Sequence, residues 1–242
     1  MTYDGIFLIT SALRTVDHLS KYNKEERFNQ TIQTIESIKK YGSENSTMYL
    51  IEGSTEDPDE DKLKTIEDMG VHIFKAYDCP EVRTYAQRGF KIFIENLCLF
   101  HFLDWFKKNP VEGKRIYKIS GRYVLNENFK PGFEYKDSFV FLKSFDSWMP
   151  IEKQEQANAK KFYETRLYHM DYSLLNTYTD EIVHMINDSI RYDINVEHSM
   201  YKFISKHKVV ELDKEYNDNT IKWYLTNLNI YNKFLEYSII KP

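Results

Sequence analysis

The 242-residue chain carries 33 Lys and Arg against 37 Asp and Glu. The resulting formal charge of -4 excludes a general nucleic-acid binder, whose affinity for phosphate backbones needs clustered cations. A hydrophobic share of 42% and an aromatic share of 16%, with no long polar tract, exclude a disordered chain and favour one domain with a sizeable core.

The opening stretch "MTYDGIFLITSAL" has a short apolar segment behind an acidic residue, so it reads as a first strand rather than a signal peptide. No run approaches the roughly 20 apolar residues of a membrane span, and a soluble, cytoplasmic protein without a transmembrane segment is expected. "GIFLITSAL" turns polar at Thr10 and Ser11, the pattern of a buried strand whose end opens onto a surface. "NKEERFNQTIQTIESIKKYG" places Phe28, Ile32, Ile35 and Tyr41 at helical spacing, with lysines near the end and Gly42 as the stop. "TMYLIEGS" is a second strand, "DPDEDKLKTIEDMG" a short helix with acidic residues in its first turn, and "VHIFKAY" a third strand.

The segment from Thr84 to Lys108 is apolar on most sides and predicts one long buried helix that stops at Asn109 and Pro110. "RIYKIS" and "DSFVFLKSF" are further strands, "RLYHM" a strand followed by a helix, "INVEHSMYKFISKH" a helix and "KVVELD" a late strand. The aromatic tail from Asn219 to Pro242 reads as helix or as an extended arm. Alternating strands and helices predict an α/β fold with a mostly parallel sheet flanked by helices and an irregular C-terminal half. Such sheets bind ligands at the carboxyl ends of their strands.

Several site classes are excluded by their missing signatures. The chain has no Gly-rich phosphate loop, no Gly-x-Ser-x-Gly elbow and no His-Glu-x-x-His. Cys79 and Cys98 read as small buried hydrophobes, too few for a disulfide framework or a zinc site. What remains is a group of polar residues at the expected strand ends: Thr10, Ser11 and Arg14, then Glu52, then Ser120, Gly121, Arg122 and Tyr123. Arg27 and Arg88 stand near the starts of two helices, where backbone N–H groups favour an anion. Polar strand ends also arise simply from meeting water, so the grouping matters more than any member.

The pieces "FLITSALR", "RFNQTIQTIESI", "YLIEGS", "YKISGRYVLNENF" and "VEHSMYKFI", over roughly residues 5 to 205, resemble a glycosyltransferase of the GT-A fold, of the small bacterial and viral kind. The resemblance implies a single domain over 1–242, with about 1–125 as the nucleotide-binding half and about 126–242 as the acceptor-side half. It places the nucleotide on Thr10, Ser11, Ala12 and Arg14, with Glu52 near the base. Its partners are a nucleotide-sugar donor and a glycan or surface-polymer acceptor; the oligomeric state is left open.

GT-A enzymes usually bind a divalent metal through an Asp-x-Asp motif after the fourth strand, where this chain reads Ser120-Gly121-Arg122. No cofactor is assigned, because a manganese or magnesium ion lacks the support of that motif, and no metal ligand is expected. The acidic run Asp57 to Asp61 fits a helix N-terminus better. Arg122, with Lys118 or Arg88, would supply the charge a metal otherwise brings, and Gly121 would allow close backbone approach. By the same resemblance Glu197 is the first candidate for general base, with His198 assisting or contacting the diphosphate. Asp146, beside Trp148, and Asp171 are further candidates. Two rivals are a non-catalytic nucleotide- or glycan-binding module on the same sheet and a nucleotidyltransferase.

Overall fold

A computed structural model describes residues 2–15, 20, 22–127, 129–212 and 225–226. The first half runs β1 (Thr2–Ser11), α1 (Lys24–Tyr41), β2 (Ser46–Glu52), α2 (Glu60–Asp68), β3 (His72–Lys75), α3 (Pro80–Gln87), α4 (Lys91–Lys108) and β4 (Glu112–Ser120). The second half holds β5 (Val124–Leu125), β6 (Phe139–Leu142), β7 (Phe145–Asp146), α5 (Ile151–Ala157), β8 (Lys161–Phe162), β9 (Leu167–Asp171), α6 (Leu175–Tyr192), α7 (Val196–Ile204), β10 (Val209–Leu212) and β11 (Leu225–Thr226).

A seven-stranded sheet in the order β10-β6-β9-β4-β1-β2-β3 forms the centre. β3, β2, β1 and β4 pair in parallel, as do β6 and β10, while β9 runs antiparallel between β4 and β6. The mostly parallel α/β sheet expected from the sequence is what the chain forms. Each strand alternates its side chains between two cores, as a pleated strand must. Ile6 and Leu8 of β1, with Tyr49 and Ile51 of β2, face α4, α6 and α7 through Phe102, Phe106, Met185 and Met200. Phe7 and Ile9, with Met48 and Leu50, face α1 and α2 through Ile35, Ile38, Leu63 and Ile66. No helix among the described residues is long and apolar enough to cross a membrane.

Local sequence explains the elements that frame the sheet's carboxyl edge. Asn23 caps α1 by accepting from the N–H groups of Glu25 and Glu26, and Glu26 reaches back to the Asn23 N–H, a complete capping box. The acidic run at 57–61 opens α2, where Glu60 and Asp61 occupy the first turn and Asp59 lies 3.6 Å from Arg14 and 3.4 Å from Lys24.

The expected single helix from Thr84 to Lys108 is two helices. α3 ends at Gln87, Gly89 takes a left-handed φ of 76°, and α4 begins at Lys91. Leu225–Thr226 of the tail pairs antiparallel with β5, and the rest of the tail expectation, over 219–242, lies outside the described residues apart from this pair.

Candidate active site

The register of the parallel strands brings the polar residues together. Thr10 pairs with Ser120 and Ser11 with Glu52, so three strand ends meet at one edge. Gly121 continues from β4 directly against β1: its N–H donates to Thr10 O at 2.8 Å, and its carbonyl accepts from Thr31 Oγ1 at 3.2 Å. A side chain at Gly121 would press on Thr10 O and Thr31 Oγ1, each 3.3 Å from an ideal Cβ. Thr31 Oγ1 also lies 3.2 Å from Ser11 Oγ, which ties α1 into the same seam. The missing Cβ therefore serves the packing of strand on strand and strand on helix.

Beyond this seam lies a cleft of about 360 Å³. One side is polar and cationic, with Thr10, Ser11, Ser20, Ser120, Arg27 and Arg122; the facing wall is apolar, with Ala86, Phe90, Ile94 and Cys98. Arg27 is anchored by donating to Ala12 O at 2.7 Å and Ser20 Oγ at 2.9 Å. Burial and the nearby Arg122 guanidinium lower its pKa to about 10, so it remains a cation at neutral pH. Arg122 is half-buried and makes no salt bridge with any described residue. The cleft thus holds two neighbouring guanidinium groups, neither of them in a salt bridge with a described carboxylate.

Glu52 is fully buried; its Oε1 holds the loop after β1, while Ser11 and Arg27, which line the cleft, also favour its charged form. It accepts from Leu13 N at 3.0 Å and from the Ser54 hydroxyl, and burial pushes its carboxyl up. Ser120-Gly121-Arg122 stands where an acidic metal motif would, and no three His, Cys, Asp or Glu among the described residues gather as a ligand set. A divalent cation at this edge would face the Arg27 and Arg122 guanidinium groups.

The cleft floor continues through a buried lysine. Lys118 is 1% exposed, and its ammonium donates to Ser120 Oγ at 3.0 Å, to Thr165 O at 2.8 Å and to the Glu95 carboxylate. All three of its protons are used. Lys118 is therefore fully engaged within the fold rather than a free cation of the cleft. Glu95 lines the cleft from α4. Glu197 stands beside this group, with Thr165 Oγ1 3.5 Å from its Oε1, but it does not line the cleft. Burial pushes its carboxyl up to about 7, with Glu95 and Glu164 adding to the effect and Lys118 opposing it.

Other expected site residues are placed elsewhere. His198 is fully buried with both ring nitrogens occupied, one near Asn195 Oδ1 and Nε2 2.8 Å from Ser147 Oγ. Trp148 and Phe162 pack against its ring, and burial lowers its pKa to about 4. It staples the β7–β8 ribbon to α7. Asp146 is exposed on that ribbon. Asp171 sits opposite Arg115, at the far edge of the sheet, because β9 runs antiparallel to β4. Tyr123 is a core residue beneath Arg166, 4% exposed. Arg14 turns outward to Glu56 at 2.7 Å, and Arg88 is exposed at the end of α3; neither lines the cleft.

Glu95, Tyr22, Thr31 and Phe90 were not singled out from the sequence, yet all line the cleft. The available signal for Glu95 was a lone carboxylate inside the apolar run "IFIENLCLF".

No protein-family model matches the sequence, and no curated protein matches it. Among solved structures, the chain is similar to the mannosyltransferase Ktr4p from S. cerevisiae at 9% identity and a TM-score of 0.52, covering 84% of this chain and 65% of that one. It is similar to the bifunctional glycosyltransferase WbbM at 9% identity and a TM-score of 0.52, covering 87% of this chain and 38% of that one. The chain thus spans less than two thirds of either structure's length. At these identities the likeness concerns the backbone, and on that level the chain has a GT-A-like glycosyltransferase fold.

Proposed function

We propose that the protein transfers a sugar from a nucleoside-diphosphate donor to a hydroxyl of a glycan or surface polymer, and that it does so without a metal. The observation that carries this reading is the Arg122 guanidinium, unpaired among the described residues, beside Arg27 in a cleft at the carboxyl ends of the parallel strands. Two guanidinium groups held together this way repel each other until an anion arrives, and a diphosphate offers the bidentate geometry that arginine favours.

In the transfer, the acceptor oxygen bonds to the anomeric carbon while the bond from that carbon to the diphosphate oxygen breaks. The electron pair leaves with the diphosphate, and Arg122 and Arg27 stabilise the charge that develops there. The apolar wall opposite excludes water from the same space.

The test is a thermal-shift series with nucleoside diphosphates and their sugar conjugates, with manganese and with a chelator, followed by measurement of nucleoside-diphosphate release. A ligand that binds only the folded state raises the melting temperature. A shift that persists in chelator, together with nucleoside-diphosphate release, is expected. Binding without release from any donor would favour a silent binding module. A shift seen only with manganese would overturn metal independence.

A further inference from the structure

We propose that Glu95 is the catalytic carboxylate of the cleft and Lys118 its positioning residue. The inference rests on the transferase reading and gives the acceptor-side role to a residue on α4 rather than to Glu197 or His198 on α7. Glu95 is the one carboxylate among the described residues lining the cleft. Its side chain is 30% exposed while its Lys118 partner is 1% exposed, so the ion pair has a closed side in the core and an open side toward the cleft.

The position is built rather than incidental. Lys118 belongs to β4, and its two other hydrogen bonds, to Ser120 Oγ and Thr165 O, leave the ammonium no freedom to follow a wandering carboxylate. Ser120 is next to Gly121 in the chain, and Gly121 is bonded to β1 and α1. The end of β4 therefore mounts both the carboxylate, through Lys118, and the guanidinium of Arg122, which lines the same cleft. A group that takes a proton from the attacking hydroxyl and a group that receives charge on the leaving diphosphate must keep a fixed separation. A common strand end provides that.

Ile94 and Cys98 line the cleft wall beside Glu95. Glu197 lies behind, next to Lys118 and Thr165, where no acceptor in the cleft meets it.

In the step itself, a Glu95 oxygen takes the hydroxyl proton of the acceptor as the acceptor oxygen bonds to the anomeric carbon. The carbon–oxygen bond to the diphosphate breaks, its electron pair leaves with the nucleoside diphosphate, and the proton on Glu95 is later released to solvent. One displacement of this kind inverts the anomeric centre.

The full-length chain is assayed, with a panel of mono- and oligosaccharide acceptors, for nucleoside-diphosphate release from UDP-glucose, UDP-galactose, UDP-N-acetylglucosamine and GDP-mannose. The variants Glu95→Gln and Glu95→Ala are compared with wild type, the latter with and without added formate, and thermal shifts with UDP and GDP check folding and donor binding. General-base loss is expected to lower turnover about a hundredfold or more in Glu95→Gln with an unchanged nucleotide shift, and formate is expected to restore part of it in Glu95→Ala. Turnover of Glu95→Gln within about threefold of wild type would overturn the proposal. So would a joint loss of turnover and nucleotide shift, which marks a structural residue, or a product that retains its anomeric configuration. A wild-type chain that binds UDP or GDP but releases the nucleoside diphosphate from none of the donors, with acceptors present, overturns the transferase reading itself, and Glu95 falls with it.

Discussion

β4 carries an arginine at each end, and the two have opposite circumstances. Arg115, near the start, is 1% exposed; it donates to Tyr135 O and lies 3.3 Å from His169 Nδ1, with Asp171 opposite it in register. Burial holds the His169 imidazole well below its ordinary pKa, so the ring is neutral and able to accept from the guanidinium. Arg122, just past the other end, has no carboxylate partner among the described residues and neighbours a second guanidinium. A buried charge that the fold itself satisfies is structure, whereas a charge left beside a like charge in an open cleft is what the proposed function builds on. Satisfaction, not residue type, tells the two apart.

The sharpest way to break this contrast is to remove each arginine in turn. Arg122→Ala is expected to lower turnover by about 10²–10³, the scale of losing one charge-stabilising donor, with little change in melting temperature. Undiminished turnover would dissolve the functional half of the comparison. Arg115→Ala is expected to cost about 2–3 kcal/mol of stability, because His169 Nδ1 and Tyr135 O lose their donor, while turnover per folded molecule is kept. Chemical denaturation of the purified variant reads this directly, and an unaltered midpoint would make Arg115 as dispensable to the fold as Arg122.

A second pair sharpens the point at adjacent positions. Glu197 is raised from 4.5 to about 7, so the folded state holds its proton more tightly. Its contribution is fully present below pH 4.5 and is lost as pH rises through 7. His198 is lowered from 6.5 to about 4, so its contribution is present above pH 6.5 and is lost as pH falls through 4. Between these limits the two slopes oppose. Relative to wild type, Glu197→Gln is expected to gain stability with rising pH and His198→Gln to lose it, each on the order of 1–3 kcal/mol across the window. Parallel pH profiles for wild type and both variants would show that neither environment is as described.

The smallest effect concerns the helix that carries Arg27. Asn23→Ala removes the side-chain cap of α1 and is expected to cost about 1 kcal/mol, read as a lower melting temperature. An unshifted melting temperature would mean the cap adds nothing to the mount of Arg27.

Much of this architecture was legible in the chain. The apolar runs ending in Thr10-Ser11, Glu52 and Ser120 identified the strands and the edge where they meet, because a parallel sheet buried on both faces leaves only its ends polar. What could not be read was direction in space. Tyr123 and Arg122 are neighbours, yet one enters the core and the other the cleft. Asp171 follows a strand as the site residues do, but antiparallel pairing carries it to the opposite edge, and pairing direction depends on distant partners. The break at Gly89 was hidden because the apolar pattern runs through it on both sides.

The seam at Gly121 has a consequence for how this protein can change. The cationic side of the cleft rests on a junction where a side chain would meet Thr10 O and Thr31 Oγ1 at 3.3 Å, so drift there is curbed by the fold as well as by chemistry. The opposite wall comes from Ala86 on α3, Phe90 in the break and Ile94 on α4, all reached without touching the sheet. Changes on that wall can alter what the cleft accepts while the cationic side stays constant.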